Sequence, residues 1–117
     1  MIEHNFKKLL IWQESIALVV DTYALTKTFP AKEKFGLISQ LNRCAVSIPS
    51  NITEGTSKST DKHFKTYLET ALGSAFEWES QVIISHKLNY FNDSQFEELE
   101  KKVNRIQNMI FKFKAKL

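Results

Sequence analysis

Residues 94–117 read SQFEELEKKVNRIQNMIFKFKAKL. Phe96, Leu99, Val103, Ile106, Ile110, Phe113 and Leu117 recur in alternating steps of three and four, the spacing that lines one side of an α-helix. A seven-residue repeat carried nearly to the end of the chain predicts a long helix with a continuous apolar seam. Ser94 and Glu97 stand at the spacing of a capping box, so the helix is expected to begin at Ser94-Gln95-Phe96-Glu97.

The same pattern extends upstream. Ser59 or Thr60 can cap a third helix, in which Phe64, Leu68, Ala71, Ala75, Trp78 and Val82 form the apolar line. Gly73 lies inside that helix at a cost of about 1 kcal/mol relative to Ala, which suggests a close backbone contact there. A second helix carries Leu37, Leu41, Cys44, Ile48 and Ile52, and Pro49 is expected to kink it and to free the carbonyl of Ala45. The first helix takes Leu9, Trp12, Ile16, Val19, Tyr23 and Thr26 as its inward stripe, widened by Leu10, Ala17, Val20 and Ala24. Trp12 and Trp78 are therefore both expected in the core.

Punctuation at Phe29-Pro30, at Gly55 to Ser59 and at Asn89 to Ser94 separates these four segments, and no segment reads as a strand. Short links between long helices predict an all-α, antiparallel up-down-up-down four-helix bundle, with residues 1–117 forming one domain. Aromatics such as Phe35, Phe91 and Phe111 fall beside the stripes, so part of this surface is expected to meet another subunit.

Composition agrees with a packed helical domain. Of 117 residues 43% are hydrophobic, with three glycines and two prolines, which excludes disorder and a turn-rich β fold. The single cysteine, Cys44, excludes an internal disulfide and fits a reducing compartment. Met-Ile-Glu-His-Asn-Phe-Lys-Lys lacks the apolar run of a signal peptide, and no stretch is apolar enough to span a membrane. A cytoplasmic location without membrane contact is expected.

Gln40, Arg43, Ser47, Asn51 and Glu54 step by three, four, four and three, which places them on one strip of the second helix beside its apolar face. Such a strip serves as a solvated edge, as a hydrogen-bonded seam or as a ligand surface. A structural role is expected, because no nucleophile with an adjacent base accompanies Arg43 and Glu54.

Three runs carry a family likeness: Phe29-Pro30-x-x-Glu33-x-Phe35-Gly36-Leu37; Gln40-Leu41-x-Arg43-x-x-x-Ser47-Ile48-Pro49-x-Asn51-Ile52-x-Glu54-Gly55; and Gly73-Ser74-x-x-Glu77. In these the chain resembles the bacterial 23S rRNA intervening-sequence proteins, often described simply as four-helix-bundle proteins. The likeness covers nearly the whole chain; Thr53 and Trp78 are its less typical positions. It implies a homopentamer with no established enzymatic activity, often encoded within insertions in 23S rRNA genes. The chain is similar, more distantly, to the accessory protein of diversity-generating retroelements. That likeness implies a basic pentamer with nucleic acid and a reverse transcriptase as partners.

The formal charge is +3, and residues 92–117 contribute four acids followed by Lys101, Lys102, Arg105, Lys112, Lys114 and Lys116. This order suits the helix macrodipole. It also makes these six the candidate nucleic-acid contacts, to RNA or DNA, with RNA favoured, made through phosphates rather than base reading. A purely protein-binding scaffold is the alternative. No enzyme, metal or cofactor is expected: His4, His63 and His86 each lack the Glu three residues earlier that di-iron bundles use, and Gly55 and Gly73 are isolated rather than part of a phosphate loop.

Overall fold

Where each helix starts is decided by which group takes up its free backbone N–H groups. In the computed structural model, which describes residues 4–117, α1 is Leu10–Thr26, α2 Leu37–Thr56, α3 Asp61–Lys87 and α4 Asp93–Ala115. Single 3₁₀ turns at Phe6–Lys8 and Ala31–Glu33 precede α1 and α2. Residues 1–3, which open the stretch read for a targeting signal and fall within the domain expected over 1–117, lie outside the described residues. Thr60 caps α3 through its hydroxyl, which accepts from His63 N at 3.2 Å. Glu33 does this for α2, accepting from Leu37 N at 3.2 Å while Tyr90 donates its hydroxyl to the other carboxylate oxygen at 2.7 Å. A Cβ on Gly36 would sit 2.7 Å from that Glu33 carboxylate, so a side chain there would displace the cap.

The fourth helix starts earlier than the expected capping box at Ser94 and Glu97. Asn92 accepts from Gln95 N at 2.8 Å, and Gln95 returns a bond to Asn92 N at 3.2 Å. The reason lies in how α3 ends. Asn89 takes a left-handed φ of 63°, Asn89 N reaches His86 O and Tyr90 N reaches Ser85 O, and this closure leaves Asn92 extended and ready to cap.

Contacts between helices pair rising residue numbers with falling ones. Glu14 meets Arg105 and Asp21 meets Lys102; Gln40 meets Gln81 and Ser47 meets Ser74; Glu69 meets Lys114 and Glu79 meets Gln107. The protein is an all-α four-helix bundle measuring 46 × 25 × 19 Å. Leu18, Leu41, Ile48, Phe64, Trp78 and Ile106 are among its fully buried side chains. At the α2–α3 corner a Cβ on Gly55 would fall 2.8 Å from Phe64 and 3.0 Å from Tyr67, which is why the corner needs glycine.

The apolar lines expected in α2, α3 and α4 face this core, but α1 does not turn as its sequence suggested. Its buried residues are Ile11, Ser15, Leu18, Thr22, Leu25 and Thr26. Leu10, Ile16, Val20 and Tyr23 point outward, and Val20 is 64% exposed. The misreading has a physical cause. Ser15 and Thr22 each donate to the carbonyl four residues earlier, at 2.6 Å, so these small polar side chains enter the core with their hydrogen bonds made. Trp12 is accordingly only half-buried, edge-on to Phe6, whereas Trp78 is fully buried and donates Nε1–H to Thr22 Oγ1 at 3.0 Å.

Two smaller expectations are also corrected. Nothing lies within 4 Å of a Cβ built on Gly73, so no backbone contact within the chain explains that glycine. Phe91 is buried, stacked on Phe29, and only Phe35 and Phe111 of the three named aromatics are exposed. Pro49 lies inside α2, and the Asn51 amide donates to Ser47 O at 2.8 Å.

Candidate functional site

The polar strip of α2 lies along α3, because its angular offset from Leu41, Ile48 and Ile52 points it at the neighbouring helix. Ser47 and Ser74 hydroxyls meet at 2.8 Å, and Asn51 Nδ2 donates to Ser47 Oγ at 3.0 Å. Gln81 Nε2 donates to Gln40 Oε1 at 3.2 Å and to Glu77 Oε1 at 3.3 Å. Gln40, Ser47 and Asn51 thus form a hydrogen-bonded seam within one chain. Arg43 and Glu54 do not join it. Both are exposed, and neither has an ion-pair partner among the described residues.

Above the seam is an open groove of about 480 Å³, lined by Phe35, Gln40, Arg43, Ser47, Ser74 and Glu77 together with Ser39 and Cys44. Phe35 stands at its rim 87% exposed. Cys44 is buried beside Glu77; burial first, then hydrogen bonding and repulsion from that carboxylate, push its thiol up to about 12. A thiol held protonated is a poor nucleophile. Ser74 and Glu77 were absent from the strip read on α2, although their run was part of the family likeness. Steps of three and four within one helix cannot reveal which second helix a strip will meet.

The six basic residues of α4 and its C-terminal cap do not present one free surface. Lys102 Nζ lies 2.7 Å from Asp21 and 3.2 Å from Glu98, Arg105 Nε 2.6 Å from Glu14, and Lys114 Nζ 3.7 Å from Glu69. The hydrogen bond from Lys102 to Asp21 raises the lysine's pKa against the opposing effect of burial. Lys101, Lys112 and Lys116 have no ion-pair partner among the described residues.

A second surface was hidden by the misread stripe. Trp12, Ile16 and Val19 of α1 and Val46, Pro49 and Thr53 of α2 line a shallow, mostly apolar groove. Val20 and Tyr23 are also exposed on α1, and Leu10 is exposed on its α4 side. Phe76, Ile84 and Leu88 are exposed on α3. Among the described residues no group of three or more His, Cys, Asp and Glu side chains is placed to hold a metal ion, and no described helix is long and apolar enough to cross a membrane.

Comparison with known proteins gives a consistent picture. A crystal structure of a protein of unknown function from the S23 ribosomal protein family of Bacteroides thetaiotaomicron VPI-5482 superposes with a TM-score of 0.83. It shares 22% identity over 90% of this chain and 98% of its own, a likeness that shows the fold. No curated protein matches the sequence. The family model described as 23S rRNA-intervening sequence protein matches residues 7–112, a span that includes the Glu33–Gly36 cap, the Gly55 corner and the Ser47–Ser74 seam and leaves out only the last residues of the four-helix bundle. With the motif runs thus accounted for by one fold, the chain belongs to the 23S rRNA-intervening sequence protein family.

Proposed function

We propose that the protein acts without enzymatic chemistry, as a homo-oligomeric bundle, pentameric by family resemblance, that binds nucleic acid and RNA foremost through its basic surface. The outward apolar face of α1 carries the oligomeric part. Ile16, Val20 and Tyr23, on the same side of α1 as the Trp12–Val46 groove, leave apolar side chains facing solvent in a single chain. Surfaces of this kind mark protein contacts. Gly73 gives separate support: an exposed mid-helix glycine with open space around it costs about 1 kcal/mol, which close approach by a second chain would offset. Contact between the α1 face of one copy and the Gly73–Phe76 face of the next would be heterologous, and a heterologous contact whose rotation closes makes a ring.

The nucleic-acid part rests on the +3 charge and on lysines left without acidic partners. Native mass spectrometry at tens of micromolar, with anisotropy titration of a structured RNA at several salt concentrations, tests both parts. The expected result is a discrete oligomer whose RNA affinity falls steeply with salt. A monomer would overturn the assembly. Absence of salt-dependent binding at micromolar protein would leave a protein-binding scaffold in its place. Gly73→Ala separates the readings further: with no neighbour it raises the melting temperature, whereas at an interface it weakens assembly.

A further inference from the structure

The fold gathers lysines from three distant parts of the sequence onto one end of the bundle. His4 packs on Phe64 and Phe113 with ring centroids 5.3 and 5.7 Å apart, and Phe64 lies 5.6 Å from Phe113. Leu9 to Ile11 share a hollow with Met109, Lys112, Phe113 and Lys116. Gly55 abuts Phe64 and Tyr67. The start of the described chain, the α2–α3 corner and the last turns of α4 therefore meet.

That end carries Lys7 and Lys8 from the first 3₁₀ turn, Lys58, Lys62 and Lys65 around the corner, and Lys112, Lys114 and Lys116 from α4. Its acids among the described residues are Glu54, Asp61 and Glu69, and Glu69 is engaged by Lys114. The remaining seven lysines have no ion-pair partner among the described residues. Away from this end the charges nearly balance, and Lys102 and Arg105 are held by acids of α1 and α4.

Lys62 and Lys65 add a second consideration. They stand in the first two turns of α3, where the positive end of the helix dipole disfavours cations. The bases late in α4 suit the negative end of their own helix, so helix stability alone accounts for them. It does not account for Lys62 and Lys65. A cluster of cations kept against the local field, in the absence of acidic partners, matches a surface that gains its counter-charge from a bound polyanion.

We propose that this end of the bundle, centred on Lys58, Lys62 and Lys65 and flanked by Lys7, Lys8, Lys112 and Lys116, is the phosphate-binding surface for RNA. The proposal rests on the nucleic-acid part of the function proposed above and moves its contacts from the side of α4 to the end of the molecule. In a ring whose axis runs along the bundle, these ends share one face, so each copy adds phosphate contacts without new chemistry.

The test compares two triple variants that remove equal charge: Lys58→Gln/Lys62→Gln/Lys65→Gln at this end and Lys32→Gln/Lys34→Gln/Lys87→Gln at the other. A fluorescein-labelled RNA hairpin is titrated by anisotropy across salt, and phosphatidylserine-containing vesicles are tested in parallel by co-sedimentation. The expected result is a loss of about tenfold or more for the first variant, with a log–log salt slope shallower by about two to three, and little change for the second. Equal losses in both, or loss only in the second, overturn the proposed location while leaving RNA binding standing. A wild-type protein that ignores RNA overturns the nucleic-acid reading itself, and vesicle binding in its place points to a lipid surface. Melting temperature and mass accompany each titration. The single Lys62→Gln change should hold or raise stability while weakening RNA binding, and unchanged RNA affinity in that well-folded variant also counts against the site.

Discussion

Helices α1 and α4 lie side by side, tied by Asp21–Lys102 and Glu14–Arg105, and they divide polar from apolar in opposite ways. In α4, Leu99, Val103, Ile106 and Ile110 go inside while Lys101, Asn104, Asn108 and Lys112 face water. In α1, Ser15 and Thr22 are completely buried between Ile11, Leu18 and Leu25, whereas Leu10, Ile16, Val20 and Tyr23 remain outside. The difference shows that a helix's apolar stripe marks the surface it will cover, which need not be the core of its own chain. Buried hydroxyls bonded to their own backbone occupy little volume and let helices approach closely, at small cost.

The largest expected effect contrasts the two tryptophans, which the sequence alone ranked together. Trp78 fills the core against the hydroxyl of Thr22, so Trp78→Ala should cost about 3–5 kcal/mol. Trp12 is half-buried on the outward side of α1, and Trp12→Ala should cost roughly half of that or less. Urea denaturation of both variants checks the ranking. Equal losses would mean that the outward face of α1 is as much core as the inward one, and the contrast with α4 would collapse.

A sharper cut goes to the buried hydroxyl itself. Thr22 Oγ1 accepts from Trp78 Nε1 and donates to Leu18 O, so Thr22→Val keeps the shape and leaves the indole N–H without a partner. The expected loss is about 1–3 kcal/mol. Thr22→Ser, which retains the hydroxyl, should lose less than the valine variant. If valine is neutral or stabilising by thermal melting, the polar row inside α1 has no structural purpose.

These contrasts also explain how much could be read without coordinates. Four helices, their approximate limits and the inward faces of α2, α3 and α4 were legible because an unbroken line of buried apolar residues marks each face, with polar residues such as Ser85 and Gln107 buried beside it. α1 was not, because Ser15 and Thr22 look like surface residues until the carbonyls they bond are known. The strip from Gln40 to Asn51 was visible as a line, yet its partner strand of side chains, Ser74, Glu77 and Gln81, belongs to another helix. The basic end was hidden more deeply. Lys7, Lys58 and Lys116 are remote in sequence, and only the folded chain brings their segments together.

The smallest expected effect concerns the edge of α4 opposite α1, where its clean separation of polar from apolar residues breaks down. Glu100 Oε1 is buried without a hydrogen-bond partner, and Glu79 of α3 lies beside it, its own carboxylate accepting from Gln107 Nε2 at 2.8 Å. Burial first, then the neighbouring Glu79, raise the pKa of Glu100 above its ordinary 4.5, with Asn104 opposing the shift. A carboxyl whose pKa is raised by folding favours the folded state below its unfolded value and loses that advantage as pH climbs through the folded one. At neutral pH the raised Glu100 is therefore a small burden on the fold. Glu100→Gln removes the repulsion and supplies an N–H that Glu79 can accept. It should raise the melting temperature at pH 7 by an amount worth well under ~1 kcal/mol, because solvent at the bundle's edge screens the charges. The gain should shrink as pH is lowered and vanish below about 4.5, where Glu100 is neutral both folded and unfolded. A variant that melts lower than wild type at pH 7 would show that the Glu79–Glu100 contact holds α3 and α4 together, and α4 would then share with α1 the habit of burying polar groups to advantage.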